Sequence, residues 1–162
     1  MKKILLTFFV CLVMLGIVII PVSANTKIEI TGTSELEATL GIDRFWDVGT
    51  IPIRHFRGLQ ELYWSEFSVD CLTGWSTQSS DGDLKMVSED FGYGPIRGTD
   101  YLENEGGYWT GSFTGKLTAD GENYFIEILH GHGGYEGYTA IIRWYRANLN
   151  DPLTAEGVLI MP

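Results

Sequence analysis

Residues 108–132 read "YWTGSFTGKLTADGENYFIEILHGH", and their alternation spells two strands joined by a tight turn. In the first half Trp109, Gly111, Phe113, Gly115 and Leu117 fall on one face, and Tyr108, Thr110, Ser112, Thr114 and Lys116 on the other. That is the two-residue period of a strand with one face turned to a core. "ADGE" at 119–122 supplies an Asp-Gly pair that accepts the positive φ of a hairpin turn. In the second half Tyr124, Ile126, Ile128, His130 and His132 alternate with Phe125, Glu127 and Leu129. A third segment, 138–146, sets Tyr138, Ala140, Ile142 and Trp144 against Thr139, Ile141, Arg143 and Tyr145, which completes a meander.

Working outward, segments 27–40, 45–57, 61–72, 83–89, 95–102 and 153–161 show similar but less regular patterns. They are separated by turn-like "GID", "RGLQ", "GWSTQSSDGD" and "ENEGG". No window holds a run at 3.6-residue spacing. Strands without helices predict an all-β domain: a single antiparallel closed β-barrel of about eight strands, with a β-sandwich as the alternative. Closure removes the exposed strand edges that invite aggregation. The stretch 76–83, "STQSSDGD", reads as the mobile loop.

The first 24 residues, "MKKILLTFFVCLVMLGIVIIPVSA", combine two lysines, an uncharged run from Ile4 to Ile20, and Val22-Ser23-Ala24 after Pro21. This predicts a secretory signal peptide cleaved after Ala24, and hence a secreted protein; an uncleaved N-terminal membrane anchor facing outside is the alternative. Residues 25–162 then form one β-barrel domain, since their number supports one full core and no second domain. Removing two lysines from 11 basic residues leaves 9 against 21 acidic ones. Such an acidic domain is a poor fit to nucleic acid or to anionic membrane surfaces, and no stable membrane insertion is expected after cleavage. The single cysteine left, Cys71, permits no internal disulfide and reads as a buried strand residue.

Two resemblances add to this reading. "GGYWTGSFTGKL", "LHGHGGYEGYTAIIRWYR" and "TAEGVLI", with "VGTIPIRHFRG" at 48–58, resemble a poorly characterised family of exported microbial β-barrel proteins. The Gly-x-Gly-Gly-x-x-Gly arrangement at 131–137 is similar to a strand junction in the allene oxide cyclase and dirigent-like barrels. Both imply a barrel; neither brings an activity or a catalytic residue to this chain.

His130 and His132 lie on one face of a strand, about 7 Å apart by strand rise. Zinc needs a third and usually a fourth protein ligand, and only His55, Glu136 or distant aspartates are at hand, so no metal and no cofactor is assigned. Glu136 and Arg143 with the histidines could do acid–base work at a barrel mouth, in an isomerase- or cyclase-like enzyme, or could form a salt-bridged rim. Arg54 and Arg57 carry the same ambiguity. No complete nucleophile, metal or paired-acid constellation is visible, so no catalytic residue is assigned. Glycines 131, 133, 134 and 137 read as a sharp junction, which needs positive φ or close backbone approach at several of them, with Gly134 the position chosen for a test by valine. The five tryptophans read mainly as barrel core. A barrel this size can hold one small molecule. The candidate ligand-binding residues are therefore Trp109, Phe113, His130, His132, Glu136, Arg143 and Trp144. The expected function is binding of a small apolar or ring-containing ligand, or of a partner; a carbohydrate platform of exposed rings is a further alternative. Oligomeric state is left open.

Overall fold

The computed structural model describes residues 25–89, 91–148 and 151–162. The expected signal peptide, 1–24, lies outside the described residues. Nine strands follow one another: β1 (Thr26–Gly41), β2 (Arg44–Val48), β3 (Ile53–Phe67), β4 (Gly74–Met86), β5 (Gly92–Asn104), β6 (Gly107–Leu117), β7 (Asn123–Gly133), β8 (Thr139–Arg146) and β9 (Leu153–Met161). All pairings are antiparallel, in the order β1-β9-β8-β7-β6-β5-β4-β3, and β1 pairs with β3 to close the ring. The domain is thus all-β and a closed barrel of eight strands. β2 continues the β1–β3 hairpin outside the ring, from Arg44 opposite Arg57 to Val48 opposite Ile53. Among the described residues no helix is long and apolar enough to cross a membrane.

The alternation of β6 and β8 reads out as expected: Trp109, Phe113 and Leu117, and Ala140, Ile142 and Trp144, all point inward and are buried. Three local expectations are corrected. The stretch 76–83 is the middle of β4, a fully paired strand, and not a loop. Its inward side chains include Ser76 and Ser80, both buried, so polarity on this strand marks a polar interior. "RGLQ" is a bulge within β3, where Gly58 adopts φ 65° and the register with β4 slips between Phe56 and Leu59. Cys71 sits in a single 3₁₀ turn, Asp70–Leu72, rather than in a strand; it is half-buried, and burial raises its thiol pKa, the opposite of an activated nucleophile.

One end of the barrel is filled and plugged. Trp109 and Leu72 are wholly buried among Ile30, Leu102, Leu129 and Leu159. The Trp109 indole Nε1 donates to the Cys71 carbonyl at 2.7 Å. Asn104 ties the connections of this end together: its amide nitrogen donates to the carbonyls of Asp70, Cys71 and Thr73, while its oxygen accepts from Tyr135 and from the Gly106 amide. Tyr135, in the β7–β8 turn, lies flat on Trp109 with ring centroids 5.4 Å apart. A Cβ on Gly131 would come within 2.7 Å of the Tyr135 Cβ, so the glycines of "HGHGGYEG" seat this ring. The left-handed positions are Gly133 (φ 67°) and Gly137 (φ 84°). Gly134 is held by close backbone approach: its amide donates to the Gly106 carbonyl at 3.1 Å, and a Cβ there would collide with that carbonyl oxygen. Gly133→Val is therefore expected to destabilise the fold by about 1–3 kcal/mol. His130→Ala, on an exposed side chain, should stay within about 0.5 kcal/mol. Chemical melts of both variants check this order, and the reverse order removes the architectural reading of the motif.

Candidate functional site

The structure separates the seven candidate residues. Trp109 is part of the plugged end; Phe113 and Trp144 line the barrel interior. His130 and His132 point outward from β7: His130 is exposed, and His132 pairs with the Thr110 hydroxyl at 2.8 Å and stacks on Tyr108 at 4.8 Å. Glu136 is exposed in the β7–β8 turn at the plugged end, and Arg143 stands on the outer wall, 4.0 Å from Glu156, with both side chains 75% exposed. These four share no cavity. Their outward direction follows from the pleat: on β7 the inward parity belongs to Asn123, Phe125, Glu127, Leu129 and Gly131. Among the described residues no group of three His, Cys, Asp or Glu side chains is placed to hold a metal ion. Of the five tryptophans only Trp109 and Trp144 are buried; Trp46, Trp64 and Trp75 are exposed on the outside. Arg54 pairs with Asp47, and Arg57 with Asp83, on the β2–β3–β4 extension.

The other half of the barrel interior holds a cavity of about 280 Å³. Toward the open end, where β4–β5 and β6–β7 turn, its wall is apolar: Leu36, Phe56, Leu59, Leu84, Ile96 and Leu117. Deeper along the same strands it becomes polar, with Ser34, Glu61, Tyr63, Gln78, Ser80 and Glu127, interrupted by the rings of Phe113, Phe125 and Trp144. Arg146 and Asn123 complete the wall; with the amide turned to satisfy both groups, the Asn123 oxygen accepts from Arg146 Nε at 2.8 Å. The size is at the lower edge of the roughly 300–1,000 Å³ of small-molecule sites. A broader outer groove over Tyr124, Ile126, Arg143 and Tyr145 is formed by the outward faces of neighbouring strands of the same wall.

Glu127, in the cavity wall, is one of a pair of buried acids. Asp100 on β5 and Glu127 on β7 are 6% and 1% exposed. They reach each other across β6, where the residue facing Asp100 is Gly111, which has no side chain to intervene. Ser76 donates to Asp100 Oδ1, Gln78 Nε2 to Asp100 Oδ2 at 3.4 Å, and Trp144 Nε1 to Glu127 Oε2 at 2.7 Å. Glu127 Oε1 finds no donor or acceptor of ordinary kind among the described residues. A proton held between the two carboxyls satisfies it, because a protonated Glu127 donates to Asp100. Burial raises the Glu127 pKa well above the usual carboxylate range, and the neighbouring Asp100 raises it further. Burial raises Asp100 too, against the lowering effect of its hydrogen bonds from Glu127, Ser76 and Gln78. Nearby, burial also raises Glu61, partly offset by the Tyr63 hydroxyl that donates to it at 3.1 Å and by Arg146.

This pair was not found from the sequence, although a marker was there. Glu127 shares the inward parity of Phe125 and Leu129, and Asp100 that of Ile96 and Leu102, so each is a carboxyl set in an apolar register. Comparison of the chain with protein-family models, with curated proteins and with solved structures finds no match.

Proposed function

We propose that the barrel is a binding protein for a small apolar or ring-containing molecule with one hydrogen-bonding end. The observation that carries this reading is the cavity: an apolar collar leading to a lining of polar groups, Ser34, Glu61, Gln78, Ser80 and the buried Glu127 among them. An apolar body gains from burial against Leu36, Leu59, Leu84, Ile96 and Leu117, at about 25 cal/mol per Å² removed from water. The polar groups fix its orientation, because a ligand that leaves them unpaired forfeits their hydrogen bonds.

The acid pair also supports a second reading, acid–base chemistry on the bound molecule, since a carboxyl kept protonated by burial is suited to donate a proton at neutral pH. In that reading Glu127 is the acid and Asp100 holds its proton in place.

The binding reading is tested with an uncharged aromatic probe, N-phenyl-1-naphthylamine, whose emission rises in apolar surroundings. Saturable binding of one equivalent is expected. Ile96→Trp, which fills the collar, should weaken it at least tenfold while the melting temperature moves by only a few degrees; Ile51→Asp, away from the cavity, should leave it unchanged. Absence of saturable binding, or equal binding by Ile96→Trp, removes the reading.

A further inference from the structure

Resting on the reading of the cavity as a binding site, we infer that its ligand is an organic cation, a protonated amine on an apolar body, with the ammonium seated between Glu61 and Gln78. These two side chains are direct neighbours in the β3–β4 register, and both line the cavity. Tyr63 is the one side-chain donor to Glu61 among the described residues, and it bonds Oε2 alone, so Oε1 is left to an incoming donor. Gln78 turns its Nε2 to Asp100, which leaves its oxygen as a second acceptor beside the first. Two adjacent acceptors suit a group that only donates, and an ammonium is such a group. Phe113, Phe125 and Trp144 border the same space, and the face of an aromatic ring attracts a cation.

The charges of the wall select the same sign. Glu127 and Asp100 behind it hold one proton between them and so carry one negative charge. Glu61 adds a second, and Arg146, the one cation in the wall, offsets one of the two. The Arg146 Nε and Nη2 are taken up by the neutral Asn123 oxygen, and Arg146 lowers the Glu61 pKa less than burial raises it. No salt bridge reaches Glu61, Asp100 or Glu127 among the described residues. An excess negative charge in an apolar enclosure is costly, and a ligand cation offsets it. A carboxylate ligand would add to the excess and meet only Arg146. The acidic balance of residues 25–162 acts in the same direction from outside, drawing cations toward the molecule.

Isothermal titration calorimetry in neutral solution with octylamine, octanol and octanoate, which share one apolar body and differ in the head, provides the test. The amine, charged in this solution, is expected to bind with a Kd at least tenfold below that of the alcohol, and the carboxylate more weakly than either. Glu61→Gln, which keeps the shape and the Tyr63 contact but not the charge, should remove the preference for the amine over the alcohol. Glu156→Gln, the same loss of charge on the outer wall, should leave the preference as it is, which separates a seated ammonium from general attraction to an acidic surface. The order of the three heads is read on the parent protein, so it decides even where a variant does not fold. No binding of the amine, an alcohol that binds as well, a carboxylate that binds best, or an unchanged preference in Glu61→Gln each overturns the proposal. The naphthylamine titration uses an uncharged probe and decides the cavity reading separately: naphthylamine bound without any preference for the amine removes this proposal and leaves that reading standing.

Discussion

Trp109→Ala is expected to cost about 3–5 kcal/mol, a large part of the roughly 5–15 kcal/mol that holds a domain together. The ring is wholly buried at the plugged end, so its removal leaves a void lined by Leu72, Leu102 and Leu129 that strand backbones on all sides keep from collapsing. Two further losses add to the void. The Cys71 carbonyl loses its indole donor, keeping only the Asn104 amide, and Tyr135 loses the face on which it is stacked. Trp109→Phe separates these contributions: it keeps most of the ring, gives up the N–H, and should cost about 1–3 kcal/mol. Urea titrations of both variants provide the measurement, with an unchanged slope showing that the unfolded states are comparable. A loss below about 1 kcal/mol for the alanine variant would show that the plug does not hold this end of the barrel.

The sequence was readable where the barrel interior is apolar. On β6 and β8 the inward side chains are Trp109, Phe113 and Leu117, and Ala140, Ile142 and Trp144, while the outward ones are mostly polar, so period and direction were both visible. On β7 the period was visible but the direction was not. Outward Tyr124, Ile126 and Ile128 are as apolar as inward Phe125 and Leu129, and residue type then drew attention to His130 and His132, which face solvent. β4 was hidden for the complementary reason. Ser76, Gln78 and Ser80 line a polar part of the interior, so both of its faces look like surface and the strand reads as a loop. The cavity and the missed strand therefore have one cause: the barrel keeps its polar groups inside, and a pattern rule that equates inside with apolar passes over them. What the rule does leave legible is the exception within an apolar register, the carboxyl of Glu127 between Phe125 and Leu129.

Between pH 5 and pH 8 the protein is expected to lose stability as pH rises. The cause is the buried pair. Glu127 and Asp100 have folded-state pKa values raised above their ordinary ones, first by burial, and Glu61 shifts the same way. In the unfolded chain these acids release their protons near pH 4, whereas the folded protein keeps at least the one shared by Glu127 and Asp100. Folding then takes up a proton, so stability is greatest at or below the unfolded values and declines through the interval up to the folded ones. The slope is about 1.4 kcal/mol per pH unit for each extra proton held. Asp83 has the opposite sign, since hydrogen bonds from His55 and Arg57 lower its pKa, but it is exposed and its stabilisation is lost only in more acidic solution. Tyr63, raised by burial and by Glu61, titrates far above this window. Glu127→Gln supplies the decisive comparison. Its amide can accept from Trp144 and donate to Asp100 without needing a proton from solvent, so it imitates the protonated acid at every pH. Thermal melts should show the parent falling by several degrees between pH 5 and pH 8, Glu127→Gln falling by less than half as much, and the variant the more stable of the two at pH 8. Parallel curves for the two proteins would mean that Glu127 and Asp100 do not hold a proton between them, and would remove the acid–base reading of the cavity with it.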